Sequence, residues 1–219
     1  MGVLQAKNLK KVYRGAEDVY ALDDVSLKVK AGEFVAILGP SGCGKSTLLH
    51  ILGAVDAPTA GEVYLNGSEY GKLSEKEKDA LRRQKIGIIY QAYNLVPVLS
   101  VEENIVLPVL LDNRKIERER LNSLLKLLDL EGQRKNLPSQ LSGGQQQRTA
   151  IARAVYQEPE IILADEPTGN LDQKNTEEIV KLFQKLNHQF GLTIIMVTHD
   201  ETIAKQCDRI LYMKDGKIV

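Results

Sequence analysis

The chain has 219 residues, 43% hydrophobic and 26% charged, an ordinary composition for one compact domain or one domain with an inserted lobe. Its 29 Lys and Arg balance 29 Asp and Glu, so the formal net charge is zero, which argues against a nucleic-acid partner held by a basic excess. Two cysteines, Cys43 and Cys207, offer neither a disulfide framework nor zinc-ligand spacing, and no run reaches the ~18 apolar residues of a membrane span.

Taken in chain order, the pattern predicts an antiparallel layer from Val3 to about Asn66, partly interleaved with a parallel core. Residues 25–30 (VSLKVK) alternate apolar and polar side chains, as a half-exposed strand does. Residues 34–38 (FVAIL) form a short, continuous apolar run that leads into Gly39, and residues 46–52 follow as a helix. Residues 62–66 end in Asn-Gly, a hairpin signal. Ser74 with Glu77, and Ser100 with Glu103, each fit a capping box. Between them, residues 86–90 (IGIIY) lead into Gln91. Residues 114–130 carry Ile116, Leu121, Leu124, Leu125 and Leu128 near helical spacing, and Glu131-Gly132 stops them. Residues 161–164 (IILA) lead into Asp165, and residues 194–198 (IIMVT) lead into His199. Residues 209–213, followed by Lys-Asp-Gly-Lys, read as a second hairpin piece.

Four buried strands separated by helical patterns predict an α/β fold with a parallel sheet. The expected organisation is a single domain over residues 1–219. Its core and antiparallel lobe take about 1–86 and 159–219, and a helical subdomain takes about 87–158. In such sheets ligands bind beyond the carboxyl ends of the strands, so the polar residue after each run projects toward one shared site.

Gly39-x-x-x-x-Gly44-Lys45-Ser46 matches the P-loop pattern, and its setting between a strand and a helix strengthens the match. The backbone N–H groups of Gly39, Pro40's successors Ser41, Gly42 and Cys43, then Gly44, Lys45, Ser46 and Thr47 would cradle phosphates. Lys45 would reach the β- and γ-phosphates of a bound nucleotide, and Ser46 would give a hydroxyl to Mg²⁺. Cys43 reads as neutral filler. Asp165 ends its strand where a second Mg²⁺ contact is needed, and Glu166 follows. Two adjacent carboxylates on an extended chain alternate sides, so one can serve the metal and Glu166 can act as general base. His199 shares the row of strand ends and reads as a contact to the γ-phosphate or water. Gln91 could sense metal and water as a neutral amide.

A second phosphate-type turn, LSGGQ, starts at Leu141 and lacks a lysine. Ser142 can cap the following helix, with Gln145 closing a Ser-x-x-Gln box, so that Gly143 and Gly144 present free N–H donors at a positive dipole end.

Together these motifs resemble the nucleotide-binding ATPase of ATP-binding cassette (ABC) transporters, over essentially the whole chain. GPSGCGKST is similar to its Walker A, Gln91 to its Q-loop glutamine, LSGGQ to its signature, IILADEP to its Walker B, NLD through Asp172 to its D-loop, and His199 to its switch histidine. Tyr13 resembles the aromatic residue that stacks on adenine. The resemblance implies a P-loop NTPase fold with a RecA-like parallel core, an N-terminal antiparallel layer and an inserted helical subdomain. It implies ATP and Mg²⁺ as ligands, with Gln91 beside Ser46 and Asp165 at the metal. It also implies a head-to-tail homodimer in the ATP state, in which Ser142, Gly143, Gly144 and Gln145 of one copy close on ATP held by the other's Lys45.

The family also implies an integral membrane permease, and therefore a cytoplasmic chain lying peripherally on the inner face of the membrane. Residues 92–100 (AYNLVPVLS), apolar and including Tyr93 and Leu95, are the expected docking surface. GNLD, QQQR and the YRGAEDVYAL stretch resemble the branch of macrolide-exporter, lipoprotein-release and cell-division ATPases. That branch implies mechanotransmission, with antimicrobial peptide, macrolide or lipoprotein as cargo and an extracytoplasmic adaptor as a further partner. A cell-division type, which activates wall hydrolases and moves no substrate, is the alternative. Asp165 follows Lys45 by only 120 residues, without a coiled coil or zinc module between, unlike DNA-repair relatives. A single P-loop differs from the paired cassettes of ribosome-binding relatives.

Overall fold

A computed structural model describes residues 2–219. Two sheets organise it. In the first, β1 (Gly2–Tyr13) pairs antiparallel with β2 (Val19–Lys30) on one side and with β4 (Ala60–Leu65) on the other. β5 (Ser68–Glu69) returns from β4 through Asn66-Gly67. Asn66 and Gly67 both have positive φ, 48° and 82°, the geometry that an Asn-Gly hairpin turn requires.

The second sheet joins β3 (Phe34–Leu38), β6 (Ile86–Ile89), β7 (Ile161–Asp165), β8 (Ile194–Thr198), β9 (Arg209–Lys214) and β10 (Lys217–Ile218). Its order is β10-β9-β3-β8-β7-β6, parallel from β9 to β6. Residues 209–213 are therefore not a plain hairpin edge. β9 does turn back into β10, but its other side is a parallel partner of β3. Strand β2 is also longer than the alternating residues 25–30 suggested.

The apolar runs are continuous because both faces of the parallel sheet are covered. Val35, Ile37, Leu163, Ile195 and Val197 pack on one side with the helix α1 (Lys45–Leu52) and the antiparallel sheet. Phe34, Ile162, Ala164, Ile194 and Met196 pack on the other with α3 (Val101–Leu111), α5 (Gly143–Tyr156) and α6 (Gln173–Phe190). Side chains such as Phe183 are fully buried, and truncating one to Ala costs about 3–5 kcal/mol.

Ser74 and Ser100 form complete capping boxes at the starts of α2 (Glu75–Gln84) and α3. The helix expected over residues 114–130 is shorter: α4 runs Arg118–Leu127, and Asp129 with φ 55° ends it before a single 3-10 turn at Glu131–Gln133. The short α7 (Glu201–Ala204) follows β8. The sheet thus points the ends of β3, β6, β7 and β8 the same way, toward Gly39, Gln91, Glu166 and His199.

Candidate active site

The loop after β3 is wrapped around its own lysine. Lys45 is 6% exposed, and its Nζ donates to the carbonyl oxygens of Gly39 at 2.7 Å and Pro40 at 2.9 Å. Two glycines make this shape possible. A Cβ on Gly39 would lie 2.2 Å from the Met213 carbonyl oxygen, and one on Gly44, where φ is 101°, would lie 2.2 Å from that of Ala21. The β9–β10 turn also holds the loop, since the Gly216 N–H donates to the Cys43 carbonyl at 3.1 Å. Cys43, itself part of the loop, is buried.

Beside the loop, the Ser46 hydroxyl donates to Asp165 Oδ1 at 3.0 Å. Glu166 departs from the expected alternation. It has left the strand and adopts φ 45°, so a turn rather than the pleat separates the two carboxylates. That turn is pinned by the Glu166 N–H donating to the Val197 carbonyl at 3.1 Å. Glu166 Oε2 lies 2.9 Å from His199 Nδ1, and Oε1 lies 3.9 Å from Lys45 Nζ.

These groups open into a cleft of about 990 Å³ lined by the P-loop residues from Pro40 to Thr47, with Tyr13, Tyr20, Gln91, Glu166, His199 and the Asp215-Gly216 turn. Tyr13 is 44% exposed, and its hydroxyl donates to Asp56 Oδ2 at 3.0 Å. A smaller cavity of about 270 Å³ near Ala54 and Tyr70 lies away from the strand ends.

The second glycine turn does not line this cleft. Ser142 caps α5: its hydroxyl accepts from the Gln145 N–H at 3.3 Å, and Gln145 Oε1 accepts from the Ser142 N–H at 2.9 Å. A Cβ on Gly143 would approach Tyr93 Oη to 3.1 Å, and one on Gly144 would reach Asn175 Oδ1 at 2.3 Å. Asn175 in turn donates from its backbone and side chain to Asp172, the cap of α6, and these bonds hold the Asp172 carboxyl below its usual range. Asn170 completes the link: its Nδ2 donates to the Gln91 carbonyl at 2.9 Å. Asn170 and Asp172 sit two residues apart on one loop, so that loop reaches Gln91 in the cleft through Asn170 and Gly144 of the signature helix through Asp172 and Asn175. Asn170 and Asn175 were not singled out from the sequence. Asn170 sits in the GNLD motif, and Asn175 gave no signal, because its position depends on where α6 packs.

Among the described residues no three His, Cys, Asp or Glu side chains converge as a metal cage. The paired oxygens of Ser46 and Asp165 suit a hard cation that keeps most of its shell from phosphate and water. Gln91 lines the same cleft, but its amide nitrogen faces Asn170 Oδ1 at 3.4 Å and does not touch Ser46 or Asp165.

Residues 92–100 are only partly free. Arg153 donates to the carbonyl oxygens of Tyr93 at 2.9 Å and Asn94 at 2.6 Å, buried Asn104 ties down Val96, and Tyr93 and Leu95 are half-buried. Val98 is 78% exposed. A groove of about 330 Å³ adjoins them, lined by Tyr90, Asn94, Leu107, Pro108, Leu111 and Arg153 among others. No helix among the described residues is long and apolar enough to cross a membrane.

Residues 22–169 match the family model described as ABC transporter. The chain is 48% identical to an uncharacterised ABC transporter ATP-binding protein of Methanocaldococcus jannaschii, over 99% of this chain and 95% of that protein. A solved dimeric structure of the cassette of that archaeal protein, in a post-hydrolysis state bound to ADP and Pi, superposes with a TM-score of 0.90 at 46% identity, covering 98% of this chain and 96% of that one. A lipoprotein-releasing system ATP-binding protein of Aquifex aeolicus is 48% identical over 99% of this chain and 96% of its own length. A macrolide export ATP-binding/permease protein of Syntrophobacter fumaroxidans is 44% identical over 100% of this chain, which spans 31% of that longer protein.

Proposed function

The chain belongs to the ABC transporter family as an ATP-binding, ATP-hydrolysing subunit of the lipoprotein-release and macrolide-export type, and from that premise we propose that it works as one half of an ATP-sandwiched homodimer driving a separate membrane permease. The observation that carries this reading is the separation of the two glycine turns. The cleft holds Lys45, Glu166 and His199, whereas Ser142–Gln145 faces elsewhere, with capped helix geometry and no place in its own chain's cleft. A helix N-terminus offers unpaired N–H donors to an anion. The phosphate for that turn then comes from a nucleotide bound by a second copy. The dimeric relative is consistent with this arrangement.

In the proposed cycle Lys45 exchanges its carbonyl partners for the β- and γ-phosphates. Ser46 and Asp165, with Gln91 after its amide turns, would hold Mg²⁺, which neutralises charge developing on the phosphoryl oxygens. Glu166 orients the attacking water and takes its proton as the bond to the ADP oxygen breaks. His199 keeps the Glu166 carboxylate aimed and faces the γ-phosphate. ATP stabilises the closed dimer because both copies contact it, and loss of the γ-phosphate weakens that preference.

The permease docks against residues 92–100 and the adjoining groove; this segment follows Gln91, which Asn170 bonds, and its Tyr93 borders Gly143 at the start of α5. The names of the relatives support lipoprotein release or macrolide-type export as the transport step; docked on such a permease, the chain would lie peripherally on the inner face of the membrane. Glu166→Gln tests the core of this reading. With ATP and Mg²⁺ the variant should elute as a dimer on size exclusion and revert to monomer without nucleotide; a persistent monomer in saturating ATP would sink it.

A further inference from the structure

Two exposed tyrosines, Tyr13 and Tyr20, line the nucleotide cleft, and among the described residues a side-chain hydrogen bond holds Tyr13 alone of the two. Tyr13 ends β1, and its hydroxyl donates to Asp56 Oδ2 at 3.0 Å. Asp56 Oδ1 accepts from Lys11 Nζ at 2.7 Å and from the Ala57 N–H at 2.7 Å. Lys11 Nζ donates again to the Ala57 carbonyl at 2.7 Å and stands over the Tyr13 ring, 4.9 Å from its centroid. Burial pushes the Asp56 carboxyl up, but the bonds from Lys11, Tyr13 and the Ala57 N–H outweigh it and hold the group below its usual range. Tyr20 is 67% exposed, and among the described residues no side-chain hydrogen bond restrains it.

The network has a second anchor. Asp56 follows α1, the helix that begins at Lys45, and its N–H donates to the His50 carbonyl at 3.3 Å. The Val12 N–H donates to Thr59 Oγ1 at 3.0 Å, and the Thr59 N–H donates to the Lys10 carbonyl at 2.8 Å. The end of β1 is thereby fixed to the far end of the helix whose near end receives the phosphates.

We propose that Lys11 and Asp56 are positioning residues that clamp Tyr13 as the base platform, at a fixed distance from the P-loop. This rests on the reading of Tyr13 as the residue that stacks on adenine. Lys11 covers one ring face without lining the cleft, so the opposite face is left for the base. Stacking on a ring already held in place avoids the entropy of ordering it on binding. The clamp also selects between the two tyrosines: the more exposed, unclamped Tyr20 contributes little to base affinity.

The test is the affinity for ATP and for inorganic triphosphate, each with Mg²⁺, of Tyr13→Ala, Tyr13→Phe, Asp56→Asn, Lys11→Met, Lys11→Arg and Tyr20→Ala chains, with thermal unfolding in parallel. Stacking on one aromatic ring predicts a loss of ATP affinity of about tenfold or more for Tyr13→Ala. Asp56→Asn and Lys11→Met should lose about three- to tenfold, Lys11→Arg should recover most of it, and none should change triphosphate binding by more than about twofold. Tyr13→Phe with Asp56→Asn should lose less than the two losses combined, because both remove one hydrogen bond. If Tyr13→Ala binds ATP normally, or Tyr20→Ala loses more, the base-stacking reading itself fails. If Tyr13→Ala is weak while Asp56→Asn and Lys11→Met bind ATP normally, the clamp is overturned and the stacking reading stands. Equal losses for ATP and triphosphate would mean general destabilisation of the loop and also overturn the clamp.

Discussion

Glu166 lies between His199 and Lys45, with Oε2 2.9 Å from His199 Nδ1 and Oε1 3.9 Å from Lys45 Nζ. One carboxylate is therefore oriented from two sides before any substrate arrives. Glu166→Gln keeps the shape and loses the base, so turnover should fall by about 10²–10⁴-fold while ATP affinity changes by less than about threefold. His199→Ala should lower kcat with a smaller effect on ATP binding. Single-turnover hydrolysis beside equilibrium nucleotide binding separates the two effects.

Gly144 offers a test of the link between signature and D-loop. An added methyl would meet Asn175 Oδ1 at 2.3 Å, and Asn175 cannot swing away freely because it bonds Asp172 twice through Nδ2. Gly144→Ala should therefore leave ATP affinity of the single chain near normal and reduce turnover by about tenfold or more. A fall in ATP affinity of equal size would place the defect at the P-loop instead.

Mixed chains probe site sharing. A Lys45→Ala copy paired with a Ser142→Arg copy keeps one site made of an intact P-loop and an intact signature, whereas each variant alone keeps none. Random pairing puts half the chains in mixed dimers, so turnover should recover to at most roughly a quarter of the unmodified level. Unimpaired turnover by the Ser142→Arg chain alone, or by the mixture, would rule out shared sites.

The docking groove yields a different readout. Leu111 is 63% exposed on its rim and touches nothing in the cleft. Leu111→Asp should keep basal ATP turnover within about twofold and abolish stimulation by the reconstituted permease. Tyr93 is a poorer probe, because its hydroxyl borders Gly143.

Glu102 sets a pH dependence in the helical part. Hydrogen bonding from Arg134 holds its carboxyl below the ordinary value of 4.5, against burial, with the charges of Arg134 and Arg118 adding to the effect. A depressed folded value means the stabilisation is complete above 4.5 and is lost as pH falls through that lower folded value. Glu102→Gln should cost about 1 kcal/mol at pH 7 by urea unfolding. Its deficit relative to the unmodified chain should close as the pH is taken below the ordinary carboxylate value.

Much of this site was legible because chemistry sat at the ends of apolar runs. FVAIL before Gly39, IILA before Asp165 and IIMVT before His199 are short, two-face-buried strands, and that burial is what makes them continuous. Serine followed three residues later by Glu or Gln located the starts of α2, α3 and α5, since a capping box is a local signal. What was missed depends on distant packing. The left-handed turn at Glu166 answers to Val197 on the neighbouring strand. The parallel pairing of β9 with β3, and the bracing of the P-loop by Met213 and Gly216, join residues more than 170 positions apart. Asp56 looked like any loop acid until Tyr13 and Lys11 folded onto it.

The most direct measurement is a crystal structure of the Glu166→Gln chain with ATP and Mg²⁺. Shared sites require each triphosphate to lie between Lys45 of one copy and Ser142–Gln145 of the other, with the Gly143 and Gly144 N–H groups about 3 Å from the γ-phosphate oxygens. A nucleotide bound at the P-loop while both glycine turns face solvent, in every pairing of copies, would contradict it.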